Sequence, residues 1–126
     1  MTSLIDTHWV ASYLNGRREA VLCVDGLVAQ GAVMRIISYG EILEGLFGLP
    51  DPAIQVSHVQ AFVAGVTVIP PDRDIARQYA QQRSQLRAIG QLIPDNDLWI
   101  AATALARDLV LVSRDHHFDR IPGLRR

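Results

Sequence analysis

Four short, largely apolar runs constrain this chain more than any other feature. They are "LI" at 4–5, "AVMRII" at 32–37, "VTVI" at 66–69 and "LVLVS" at 109–113. A strand with one wet face alternates polar and apolar residues, whereas a continuous apolar run belongs in a parallel sheet covered by helices on both faces. Segments of helical apolar spacing lie between the runs. They span 7–14, then about 18–30 after the Asn15-Gly16 break, then "SYGEILEGLFG" after the second run. Further helices are expected at 53–64 behind Pro50 and Pro52, at 72–89 ending near Gly90, and at 95–107. The expected fold is α/β, a three-layer α/β/α sandwich with a mostly parallel central sheet, and 126 residues make one domain, 1–126.

Composition closes several functional routes. No apolar run approaches the ~18 residues that would cross a bilayer, and "MTSLIDTHWV" has no basic leader ahead of an apolar segment, so no membrane role is expected. The single cysteine, Cys23, cannot form an internal disulfide and lies in an apolar stretch where a buried thiol is expected. A reducing cytoplasm fits these features. The net charge of -1 gives no global pull toward nucleic acid, but all twelve basic residues are arginine. A chain without lysine has no P-loop phosphate site, no Schiff base and no receiver-domain lysine. Its cationic contacts all use the planar guanidinium, which suits phosphate oxygens.

Ligands of open α/β sheets sit outside the carboxyl ends of the strands, and four acids fall there. Asp6 closes the first run and Glu41 lies one turn into the helix after the second. Asp97 opens the helix that feeds the last run, and Asp115 stands two residues beyond "LVLVS". Two carboxylates about 5 Å apart repel by roughly 3 kcal/mol at an effective dielectric of about 20. Four unpaired carboxylates would raise one another's pKa or spread apart, and a divalent cation removes that penalty. Carboxylates without a thiolate or a clearly spaced histidine suit Mg²⁺, or Mn²⁺, rather than Zn²⁺. Mg²⁺ is commonly completed by a substrate phosphate, so the expected chemistry is phosphodiester hydrolysis by metal-activated water.

The same residues carry a family resemblance over essentially the whole chain. "LIDTHWVASYLNGR" resembles the opening of PIN-domain ribonucleases of the VapC toxin type, where the first strand ends in an aspartate followed by threonine or serine. "ISYGEILEGLFG" is similar to their second motif, which puts the glutamate at Glu41, three residues after Ser38 and four before Gly45. "PDNDLWIAATAL" resembles the third, with Asp97 three residues before Ile-Ala-Ala. "LVLVSRDHHFDRIPGL" resembles the fourth, ending in a histidine-phenylalanine pair and "RIPGL". The resemblance implies a Mg²⁺-dependent endoribonuclease with Asp6, Glu41, Asp97 and Asp115 in its site, the three aspartates on the metal. It implies products with 5′-phosphate and 3′-hydroxyl ends, and RNA substrates such as tRNA or rRNA. It also implies a cognate VapB-like antitoxin as partner and a homodimer. Two departures stand out: His8 where Asn, Asp or Ser is usual, and a short or missing fifth edge strand.

Each candidate has a rival reading. Asp95 and Asp97 both stand where helix-capping acids belong, and capping, worth about 1 kcal/mol, needs only one of them. Asp95 is expected to be the cap or a supporting acid. Glu44 rivals Glu41 one turn along the same face, and Ser113 either holds a metal-bound water or caps. His116 and His117 lack spaced Cys/His partners and are expected in surface or packing roles, with Phe118 anchoring their loop. Trp9 and Trp99 are expected to pack in the core. Arg73, Arg77, Arg83 and Arg87 fall within an arc of about 120° on one helix. They form a candidate RNA-binding stripe, or a solvated face, and Arg114 is a further candidate. "GLFGLP" at 45–50 and Phe62-Val63 offer apolar surface to an antitoxin or a second copy. The alternative function is a catalytically silent PIN-like domain, or another Mg²⁺-binding α/β domain, that serves as a partner-binding module.

Overall fold

The computed structural model describes residues 2–126, and the chain folds as alternating strands and helices. β1 (Ser3–Ile5) leads into α1 (Thr7–Leu14) and α2 (Arg18–Ala29). β2 (Val33–Arg35) is followed by α3 (Ile36–Phe47) and α4 (Ala53–Ala64), and β3 (Thr67–Ile69) by α5 (Arg73–Ala88) and α6 (Asp95–Arg107). β4 (Val110–Val112) and a 3-10 turn at His116–Arg120 complete the described elements. The four strands form one all-parallel sheet in the order β3-β2-β1-β4. The chain thus builds outward from β1 to β3 and returns to add β4 on β1's other side. The carboxyl ends of β1 and β4 flank that reversal, where open α/β sheets place their ligands.

Side-chain alternation explains why the strands read as continuous apolar runs. Leu4 and Val33 pack with α5 and α6 in one core, which includes Leu86, Leu98, Ala101 and Leu111. Their neighbours Ile5 and Met34 point the other way, into a second core with Val10 and Val24 and with Trp9, Ile42 and Val63 around them. Both faces of the sheet are covered, as expected, and no helix is long and apolar enough to cross a membrane among the described residues.

Helix ends follow local chemistry. Asp72 caps α5 by accepting from the Ile75 N–H at 2.9 Å. Both α4 and α6 start behind a proline and span the residues that periodicity predicts. The second strand is shorter than predicted. It ends at Arg35 because its ladder with β3 covers only Val33↔Thr67 to Arg35↔Ile69. With Pro70-Pro71 stopping β3, Ile36 and Ile37 have no strand to pair with and form the first turn of α3. No fifth strand follows β4 among the described residues. Instead the Leu111 N–H donates to the Arg125 carbonyl at 2.8 Å, which covers part of β4's outer edge.

Cys23 is half-buried rather than enclosed. Phe62 and Val63 pack against the second core rather than forming exposed apolar surface, because α4 turns that end of the helix toward the sheet.

Candidate metal centre

Asp6, Glu41, Asp97 and Asp115 all line one cavity of about 610 Å³ at the carboxyl edge of β1, β2 and β4. Glu44 lies outside it, exposed on α3. Each aspartate at a strand end has two tasks. Asp6 caps α1, its Oδ1 accepting from the Trp9 N–H at 3.0 Å. Asp115 caps the 3-10 turn, its Oδ1 accepting from the His117 N–H at 2.9 Å. The capping and metal readings of these aspartates are therefore compatible, since a carboxylate has a second oxygen.

Three side chains stand closest together. The His117 Nδ1 lies 2.7 Å from Asp97 Oδ2 and 3.1 Å from Asp115 Oδ1. Asp97, Asp115 and His117 each place one ligand atom within 4.8 Å of the others. This corrects the expectation of a surface or packing role for His117: the 3-10 turn folds its ring back over the carboxylates. His116 does point into solvent, with Asp119 3.7 Å away, and Phe118 anchors the turn in the core as expected. Two carboxylates and an imidazole are a chemically sound donor set for a divalent cation. Asp6 faces the same cavity, so the residues fit the metal that the acids imply.

Glu41 belongs to a different network. The Thr7 hydroxyl donates to its Oε1 at 2.9 Å and shares a hydrogen bond of 2.8 Å with the Ser38 hydroxyl. Asn96 Nδ2 donates to Oε2 at 3.2 Å, and the Arg35 guanidinium lies 3.7 Å from Oε1 while donating to Asn96 Oδ1 at 3.4 Å. Arg35 is only 3 % exposed. Burial draws the pKa of its guanidinium below the ordinary value, and Glu41, Asp6 and Asp97 draw it back up. Arginine stays protonated in proteins, so Glu41, Asp6 and Asp97 share the site with a resident positive charge. Arg35 and Asn96 escape the sequence reading, in which Thr7 and Ser38 appear only as motif positions and His117 in a surface or packing role. The available signal was a charged residue inside the apolar run "AVMRII".

Asp95 does not cap α6. Pro94 holds that position, and Asp95 turns to α5 instead, accepting from the Tyr79 hydroxyl at 3.0 Å and from Arg83 Nε at 3.4 Å. Tyr79 stacks on Trp99 with ring centroids 4.0 Å apart, so Trp99 is a packing residue. Trp9 is half-buried at the cavity wall with the Arg114 guanidinium 4.3 Å over its ring. Arg114 also pairs with Glu19 across the opening. Of the five candidate RNA-binding arginines only Arg114 lines the cavity. Arg73, Arg77 and Arg87 are exposed on α5, and Arg83 is held by Asp95. Ser113 accepts from the Asp115 N–H at 3.2 Å, which favours the capping reading of that hydroxyl.

A family model described as PIN domain matches residues 3–124. Ribonuclease VapC1 of Haemophilus influenzae is 32% identical over 128 residues, covering 98% of this chain and 95% of that protein. Ribonuclease VapC5 of Mycobacterium tuberculosis is 28% identical over 101 residues, 79% of this chain and 75% of its own. Among solved structures, VapBC-1 from nontypeable Haemophilus influenzae matches with a TM-score of 0.85 at 27% identity, over 99% of this chain and 96% of that one. DNA-bound VapBC from Salmonella typhimurium matches with a TM-score of 0.88 at 25% identity, again over 99% and 96%.

Proposed function

The chain belongs to the PIN-domain family, and from that premise we propose that it is a metal-dependent endoribonuclease, the toxin of a VapBC-type pair. The observation that carries the proposal is the trio Asp97, Asp115 and His117, whose ligand atoms lie within 4.8 Å of one another at the cavity that Asp6 also lines. These residues would hold Mg²⁺ or Mn²⁺; the imidazole makes the set softer than carboxylates alone, which suits Mn²⁺ as well. When bound, the cation supplies a water nucleophile at neutral pH and offsets charge on the scissile phosphate. The chain's own residues then position. Asp6 and Asp115 face the cavity from the ends of adjacent strands, fixed by backbone N–H groups. Glu41, held through both oxygens, orients the opposite wall. Arg114, beside Trp9 at the opening, and the exposed Arg17 both line the cavity and are placed to meet an entering phosphate. The products expected are 5′-phosphate and 3′-hydroxyl ends on RNA such as tRNA or rRNA, cut in the cytoplasm.

The solved relatives are VapBC complexes, which supports a VapB-like antitoxin as partner here. The test is cleavage of total cellular RNA by the purified chain with Mg²⁺ or Mn²⁺, with EDTA, and with Asp97→Asn. Discrete fragments that need metal and fall by at least about 100-fold in a folded Asp97→Asn variant are expected, a loss comparable to removing one preorganised group from an active site. Metal binding without any cleavage would instead favour a partner-binding scaffold.

A further inference from the structure

We propose that Arg35 is a resident counter-cation, so that this centre takes one divalent ion rather than two. The inference rests on the metal reading above and specifies its stoichiometry. Arg35 is the last residue of β2, beside the strand that leads into Asp6, and among the described residues it is the one charged side chain that is buried. Its Nε is buried with no hydrogen-bond partner among the described residues. A buried cation persists where opposite charge surrounds it, and here Glu41 and Asn96 meet its terminal nitrogens. With its side chain 4% exposed, Arg35 offers a substrate little to touch. It acts on the charge and position of its neighbours, as a positioning residue.

Two-metal sites hold their ions about 3.5–4 Å apart, so a second ion needs a second set of free oxygens next to the first. Glu41 is poorly disposed to supply them: its charge is already matched by the Arg35 guanidinium 3.7 Å from Oε1, and both oxygens accept hydrogen bonds, Oε1 from Thr7 and Oε2 from Asn96. Asp6 gives one oxygen to the Trp9 N–H. Among the described residues a single cluster with metal-ligand spacing remains, Asp97, Asp115 and His117. The cavity is therefore divided. One half is open to a divalent cation, and in the other a guanidinium already neutralises the acid that would bridge to a second.

The stoichiometry of Mn²⁺ reads this directly, by calorimetric titration and by loss of the free-ion signal in electron paramagnetic resonance, with no cleavage assay involved. The purified full chain is expected to bind one Mn²⁺. Arg35→Met, shown to be folded by circular dichroism, is expected to bind a second, while Arg35→Lys, which keeps the charge, stays at one. Two ions on the parent overturn the inference and leave the metal reading standing; no ion on the parent overturns the metal reading itself. A folded Arg35→Met that still binds one ion, or an Arg35→Lys that binds two, also overturns the role of Arg35. If Arg35→Met does not fold, Arg35→Gln, equally uncharged, takes its place with the same expected and overturning counts.

Discussion

At the scale of single residues, His117 and Glu44 make a contrasting pair. His117 Nδ1 sits within hydrogen-bond reach of Asp97 and Asp115, whereas Glu44 stands outside the cavity. Partners that merely orient metal ligands change affinity by about 10–100-fold when removed. His117→Ala is expected to weaken Mn²⁺ binding by at least that much, and Glu44→Gln to leave it unchanged; calorimetric titration of both variants checks this. The four acids were legible beforehand because a parallel sheet brings its strand ends together whatever the loops do. His117 was not, since its role depends on a five-residue 3-10 turn that reverses the ring's direction. Arg35 was hidden for a different reason. A charge in an apolar run reads as an imperfection until its partners are known, and those lie 6 and 61 residues away in the chain, at Glu41 and Asn96.

At the scale of elements, α5 and α6 form the most closely joined helix pair. The Tyr79–Trp99 stack lies beside the hydrogen bonds from Tyr79 and Arg83 to Asp95. Since Asp95 is largely exposed, Asp95→Ala is expected to lower stability by only about 0.5–1 kcal/mol, with Mn²⁺ binding unchanged. The Tyr79 hydroxyl is held above its ordinary pKa, by burial first and by Asp95 second. A raised folded-state pKa means that the stabilisation is complete below the unfolded value of about 10 and is lost as pH rises through the folded one. Thermal melts across that alkaline range should show a shallower decline for Tyr79→Phe than for the parent. Tyr13, also raised by Asp25, keeps some of the slope. Element boundaries were legible where proline or a turn fixes them, as at α4 and α6. They failed where pairing decides, as at β2, whose length is set by the three residues that β3 can offer it.

At the scale of the whole molecule, the exposed apolar surface and the sheet order matter most. Phe47 is 64% exposed and Ile54 70% exposed, with Leu49 between them at the junction of α3 and α4. Apolar side chains gathered this way are usual at protein interfaces. Phe47→Asp with Ile54→Asp is expected to shift the chain toward the monomer in size-exclusion chromatography with light scattering, without changing Mn²⁺ binding. The sheet order has another outcome. β1 pairs with β2 on one side and with β4 on the other, so a cut at Pro70-Pro71 would separate Asp6, Arg35 and Glu41 from Asp97, Asp115 and His117. Each fragment would carry one half of the cavity wall and neither the whole. The centre is in effect a coincidence detector: its chemistry reports that two distant stretches of chain have met, and a split version of this protein would turn that meeting into a signal.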